Sequence, residues 1–262
     1  MVSADEPDDQ PRMSLGEHLE ELRRRILYAL AGLGVAMTAS LLFGRWLIRL
    51  LEYPFAQVMG AAGQDSRLAV LSTTAAVGVY FRVCLIAGAI LASPWIFYQL
   101  WMFVSAGLYA REKRYAIYAV PLSVVLFVGG AAFFLFVVAV PALRFLIGFA
   151  GWLDVRPVVT LQEHIGFMTV MMLVFGVTFQ TPMVVLVLAK MRLVTIRTLN
   201  RYHRHVIVVI VILAAVLTPP DPVEQILLAV PMILLYELGV LLAYVFVGKP
   251  HPTEVPTLGE DT

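Results

Sequence analysis

Six stretches of this chain, approximately 26–43, 83–104, 116–140, 165–189, 206–218 and 226–247, are so continuously apolar that a bilayer is the environment they fit. A hydrocarbon core of about 30 Å takes about 20 apolar residues as a helix. The chain is 60% hydrophobic and only 14% charged, where a soluble domain carries about a quarter charged residues. A water-facing fold could not hide that much apolar surface, so the excess faces lipid. The expected fold is an all-α membrane protein with six transmembrane helices.

The domain organisation follows from the same pattern. Residues 1–13 are acidic and polar, unlike the basic-then-apolar start of a secretory signal peptide, and read as a disordered tail. Residues 14–248 form the six-span domain, and 249–262 a second tail. Basic residues set the orientation. Arg12, Arg23, Arg24, Arg25, Arg111, Lys113, Arg114, Lys190, Arg192, Arg197, Arg201, Arg204 and Lys249 fall on one side, against Arg45, Arg49, Arg67, Arg144 and Arg156 on the other. Arg82, at the outer end of span two, could snorkel outward. Both termini are therefore expected in the cytoplasm. The outer loops, about 44–82 and 141–164, are long enough to hold short helices. The fifth span is unusually short: Val206 to Leu217 reaches only about 18 Å. The link TPPDP (Thr218–Pro222) folds spans five and six into a hairpin, its prolines stopping one helix and starting the next.

Chemistry-bearing side chains are few. SLGEHLEELRRRI reads as an amphipathic helix entering the first span, with Leu15, Leu19, Leu22 and Ile26 at helical spacing and Ser14–Glu17 as a capping box. Glu20 with Arg24, and Glu21 with Arg25, fit ordinary i,i+4 pairs. A functional reading combines Glu21 with Glu112, which sits among basic residues of the first cytoplasmic loop. Two carboxylates on separate elements could each accept one planar guanidinium fork from a partner with adjacent arginines, a geometry lysine matches poorly.

Gln99 and Gln180 lie in apolar helices, where a polar side chain faces protein or a water-filled cavity; tying helices together is an equally good account of them. Pro94 and Pro182 are expected to kink their spans. Asp221, Glu224 and Gln225 cluster at the outer hairpin. Glu237 either faces a polar interior or marks a span that ends near Leu235. His203 and His205, two apart, do not share a helix face, and His164 reads as interfacial. There is no GxSxG, HExxH, CxxC or Gly-rich phosphate loop, and Cys84, the lone cysteine, excludes an internal disulfide. The net charge of +1 gives no argument for nucleic acid.

Four segments in order, HLEELRRRI (18–26), ASPWIFYQLWMFVSAGLYAREKR (92–114), FGVTFQTP (175–182) and TPPDPVEQILLAVPMILLYE (218–237), resemble the TatC family, the multispanning core of the twin-arginine translocase. The resemblance covers nearly the whole chain. It implies a concave, glove-like bundle in a prokaryotic inner membrane that recognises twin-arginine signal peptides of folded cargo. It also implies docking of single-span TatA- and TatB-type partners, self-association, drive from the proton-motive force, and no cofactor. Glu21 and Glu112 would be the arginine ligands, with Arg23, Phe103 and Leu108 shaping the same surface. Pro54, in the first outer loop, together with Pro94, Gln180, Asp221 and Gln225, would bear on translocation or assembly. The chain departs from the family's pattern at Gln180, often Glu; at Ala106-Gly107, often Pro-Gly; and at Ser72 to Ala75, often with a Pro and a Glu. At Gln180 a titratable group is lost. The competing reading, a secondary transporter of a small polar solute, draws on Gln99, Gln180 and the broken helices but lacks the expected repeat symmetry.

Overall fold

The computed structural model describes residues 15–63, 65–106, 113–155, 158–191, 194–217 and 222–247. The expected tails, together with Ser14, Leu108, Glu112 and Asp221, lie outside the described residues. The described residues form helices α1 (Leu15–Ala61), α2 (Thr73–Leu91), α3 (Ser93–Ala106), α4 (Lys113–Phe133), α5 (Ala139–Trp152), α6 (Leu161–Thr178), α7 (Thr181–Lys190), α8 (Ile196–Leu217) and α9 (Pro222–Val247), with a π-helical turn, Phe134–Val138, joining α4 to α5. Among them are six helical stretches long and apolar enough to cross a membrane.

The first helix differs most from expectation. Residues 44–61 do not loop: α1 runs on for 47 residues, roughly 70 Å. Its outer part reads as a loop because Arg45, Arg49 and Glu52 interrupt the apolar run. Those charges share the helix with a stripe at helical spacing, Leu51, Phe55, Val58 and Met59, which is buried in part against Leu143 of α5. Pro54 is therefore a helix-interior residue, fully buried, and not a loop residue. Gly63, at φ +63°, ends the rod in the left-handed conformation that glycine tolerates best.

The prolines punctuate the remaining spans. Span two starts at Thr73, not near Val83, and breaks at Ala92, where Pro94 opens α3 with a nitrogen that needs no intrahelical acceptor. Arg82 consequently sits within α2, lying over Gly166 of α6 and lining a cavity of about 490 Å³. In span three the wide π turn leaves room for the Pro141 ring, which in a regular helix clashes with the carbonyl four residues before it. Span four kinks at Phe179–Gln180, and Pro182 begins α7.

The two outer loops are extensions of span helices, not sites of separate short helices. What remains of them meets in a two-residue parallel bridge: Ala69 N–H donates to Val159 O at 3.2 Å and Leu161 N–H to Ala69 O at 2.9 Å. Thr160 caps α6 by accepting from the Glu163 N–H at 3.2 Å and donating to its carboxylate at 2.8 Å.

Helix α8 begins at Ile196, so the fifth helix is longer than its apolar run. Leu199, Val206, Ile210 and Ala214 continue one packed stripe through its charged end. Helix α9 does not end near Leu235 but continues to Val247.

Packing is closest where side chains are smallest, as expected where lipid competes for every apolar face. A Cβ on Gly88 of α2 would stand 2.8 Å from the Met37 backbone of α1, and one on Gly239 of α9 would stand 2.9 Å from Pro182 Cα. Backbone cannot yield as a side chain tip can. Gly88→Val is expected to destabilise the fold by about 1–3 kcal/mol, read as unfolding at a lower mole fraction of SDS in mixed micelles. Gly78→Ala, where no atom of a neighbouring helix lies within 4 Å, is expected to unfold no earlier than the wild type.

Candidate functional site

The first turns of α1 and the length of α3 form a seam of polar and aromatic contacts. At one end the His18 ring stacks on Phe103, centroids 4.5 Å apart. In the middle Arg25 Nη1 donates to Gln99 Oε1 at 2.9 Å. At the other end Trp95 Nε1 donates to the Tyr28 carbonyl at 2.8 Å. The two helices run antiparallel, so residues rising along one meet residues falling along the other.

The face of α1 turned to this seam is not the apolar one. Leu19 and Ile26 are exposed, while Glu21, Leu22 and Arg25 are partly buried. A helix beside lipid keeps its apolar side outward and turns its polar groups toward protein, the reverse of the soluble pattern.

Glu21 is the centre of charge. Its side chain is only 13% exposed, and both oxygens are occupied: Arg24 Nη2 donates to Oε2 and Arg25 Nε to Oε1, each at 2.6 Å. The Glu21–Arg25 pair is as the spacing predicts. Glu20 differs: its carboxylate lies 3.9 Å from Arg23, not against Arg24, because Arg24 is drawn to Glu21. Arg25 is held a second time by Gln99, itself 3% exposed. A buried amide oxygen facing a guanidinium fixes that cation's position, and through it the carboxylate's rotamer. The result is a pre-oriented carboxylate with guanidinium-compatible geometry on both oxygens.

Of the residues expected to bind a partner, Glu21 and Phe103 are thus brought to one seam, and Arg23 stands exposed beside them. Leu108 and Glu112, on the segment joining α3 to α4, lie outside the described residues. The residues expected to bear on translocation or assembly are dispersed. Gln180 Nε2 donates to the Ser123 carbonyl at 2.9 Å, and Ser123 Oγ accepts from Trp101 Nε1 at 2.9 Å. This ties the kink of span four to α4 and α3. Gln225 Nε2 donates to Val211 O at 3.2 Å across the α8–α9 hairpin.

Pro54 and His164 form one feature that sequence reasoning misplaced. His164 is buried, not interfacial. Proline removes an N–H and pushes its helical turn open, and beside it the Leu51 carbonyl takes His164 Nε2 at 3.0 Å. That bond requires the proton on Nε2. A second missed feature is the half of the α8–α9 hairpin remote from its turn. There His203 Nδ1 meets Glu237 Oε1 at 3.0 Å, Asn200 Nδ2 donates to Tyr244 Oη at 3.0 Å, and Tyr236 Oη donates to Leu199 O at 3.2 Å. An antiparallel hairpin sets residues equally far from its turn opposite one another, which was the available signal. Among the described residues no group of three His, Cys, Asp or Glu side chains could hold a metal ion.

Comparison with known proteins agrees with this architecture. The family described as TatC, Sec-independent protein translocase protein, matches residues 17–231. The Sec-independent protein translocase protein TatC of Desulforapulum autotrophicum is 34% identical over 97% of this chain and 92% of its own length. That of Aquifex aeolicus is 32% identical over 88% of this chain and 94% of its own length. The crystal structure of a twin arginine translocase receptor, TatC, superposes with a TM-score of 0.76 at 32% identity, covering 87% of this chain and 99% of that one. A structure of such a receptor in DDM superposes at 0.77.

The seam depends on Gln99 accepting from Arg25. Gln99→Leu is expected to cost about 1–3 kcal/mol, because a partly buried guanidinium N–H loses its acceptor. SDS titration of the purified variant checks this, and a midpoint unchanged from wild type would mean that the seam holds nothing together.

Proposed function

Since the chain belongs to the TatC family of Sec-independent translocase proteins, a family of transport components and not of enzymes, we propose that it is the receptor subunit that binds twin-arginine signal peptides. Family membership displaces the solute-transporter reading. The observation that carries the proposal is the Glu21 carboxylate, held in place on a membrane-entry helix with a guanidinium on each oxygen. A carboxylate that already accepts one N–H from each of two guanidinium groups has the geometry to accept the guanidinium of a ligand.

In this reading Glu21 and Glu112 each take one arginine of the signal peptide in a charge-assisted pair, and Arg23, Phe103 and Leu108 shape the surface around them. The apolar stretch of the peptide then lies along the spans toward Gln180. Pro54, Pro94, Gln180, Asp221 and Gln225 serve translocation or assembly by keeping the broken helices in register. Single-span TatA- and TatB-type subunits gather on the bundle, copies of the chain associate, and the proton-motive force drives folded cargo across. The bias of basic residues supports both termini in the cytoplasm of a prokaryotic cell, with the chain multi-pass in its inner membrane.

Binding of a twin-arginine peptide to the protein in nanodiscs, beside a twin-lysine version, tests this. Arginine is expected to be preferred, and Glu21→Gln to weaken binding roughly ten- to a hundredfold, the worth of a charge-assisted hydrogen bond. Equal binding of the two peptides to folded protein would refute the assignment.

A further inference from the structure

The residues that occupy Glu21 are themselves two adjacent arginines. Arg24 and Arg25 place one guanidinium on each carboxylate oxygen, at 2.6 Å in both cases. The chain thus presents to its own acceptor the same chemical group that the proposed ligand presents. The two arginines are not equivalent. Arg25 is 16% exposed and is anchored a second time by Gln99 at 2.9 Å. Arg24 is 56% exposed, and its one contact with an acceptor among the described residues is Glu21 Oε2.

We propose that Arg24 is an internal placeholder: it fills the outer oxygen of Glu21 while no ligand is bound and is displaced by an arginine of the signal peptide, whereas Arg25 stays in place. The inference rests on the reading above that Glu21 receives that peptide. With Arg25 fixed on Oε1, the other oxygen of a carboxylate this shielded from water is costly to leave without a donor, and Arg24 supplies one that can swing out into solvent. The exchange trades one guanidinium–carboxylate pair for another, so an incoming arginine replaces what is lost. Arg24 therefore sets a threshold that any cationic ligand must exceed to reach the outer oxygen of Glu21.

The test measures binding of twin-arginine and twin-lysine peptides to wild type, Arg24→Gln, Arg25→Gln and Glu21→Gln in nanodiscs. It uses about 0.5 M salt, where screening confines charge effects to a few ångströms. Arg24→Gln is expected to bind the twin-arginine peptide roughly two- to fivefold more tightly, the worth of an exposed ion pair no longer to be broken. The twin-lysine peptide is expected to tighten by a similar factor, because the cost of displacing Arg24 is common to both ligands. Unchanged or weaker binding by Arg24→Gln overturns the placeholder. So does a tightening for one peptide that the other does not share. Tightening by Arg25→Gln equal to that of Arg24→Gln overturns the assignment of Arg25 as the fixed member. If wild type binds neither peptide, or if Glu21→Gln binds as wild type does, the receptor reading of Glu21 fails instead. The placeholder alone fails where Glu21→Gln weakens binding and Arg24→Gln does not tighten it.

Discussion

Inside a bilayer a peptide group can satisfy its N–H and C=O only against other protein groups, since hydrocarbon offers neither donor nor acceptor. Prolines within spans therefore interrupt the ladder, and at three of them the neighbouring backbone groups are bonded locally. At Ala92 the chain turns with Ala92 N–H still bonded to Gly88 O at 2.8 Å and Ile96 N–H to Ala92 O at 2.9 Å. At Phe179–Gln180 the backbone bonds persist through the kink, to Phe175 O at 2.9 Å and Val177 O at 3.0 Å. Beside Pro54 a side chain, His164, bonds the Leu51 carbonyl, next to the Leu50 carbonyl that proline cannot serve.

The same solvent removes the force that orients a helix in water. Lipid is as apolar as leucine, so burying one apolar face instead of another gains little, and close backbone approach and interhelical hydrogen bonds decide. The bundle shows both. Gly88 and Gly239 let helices touch at the backbone. Gln99, Gln180, Trp101 and the pair His203–Glu237 supply the bonds that fix rotation. Polar side chains that look like candidate chemistry in an apolar sequence are here largely the means by which helices find their register.

Glu21 belongs to that seam and, in the proposed reading, to the recognition surface at once. The bonds that orient α1 against α3 also hold its carboxylate still beside two guanidinium groups, so structural tie and candidate ligand site share the same atoms. A site made this way is pre-oriented before a partner arrives, which reduces the ordering cost of binding.

The six spans, the proline kinks at Pro94 and Pro182, the α8–α9 hairpin and the Glu21–Arg25 pair were legible in the sequence, because length, hydropathy, missing N–H groups and i,i+4 spacing are local properties. The family was legible too, in four motifs whose order the fold preserves. What needed the tertiary structure was anything decided between helices. Charges at Arg45, Arg49 and Glu52 made residues 44–61 look like a loop, and only the packing of Phe55, Val58 and Met59 against Leu143 shows why the helix continues through them. Leu19 and Ile26 looked like a core stripe but face outward. His164 and Glu237 acquire partners 113 residues away in one case and across a hairpin in the other. Local sequence determines which segments become helices in a bilayer, since each must satisfy its own backbone. Which face each helix turns inward depends on hydrogen bonds to side chains on other helices, and those exist only once the bundle has formed.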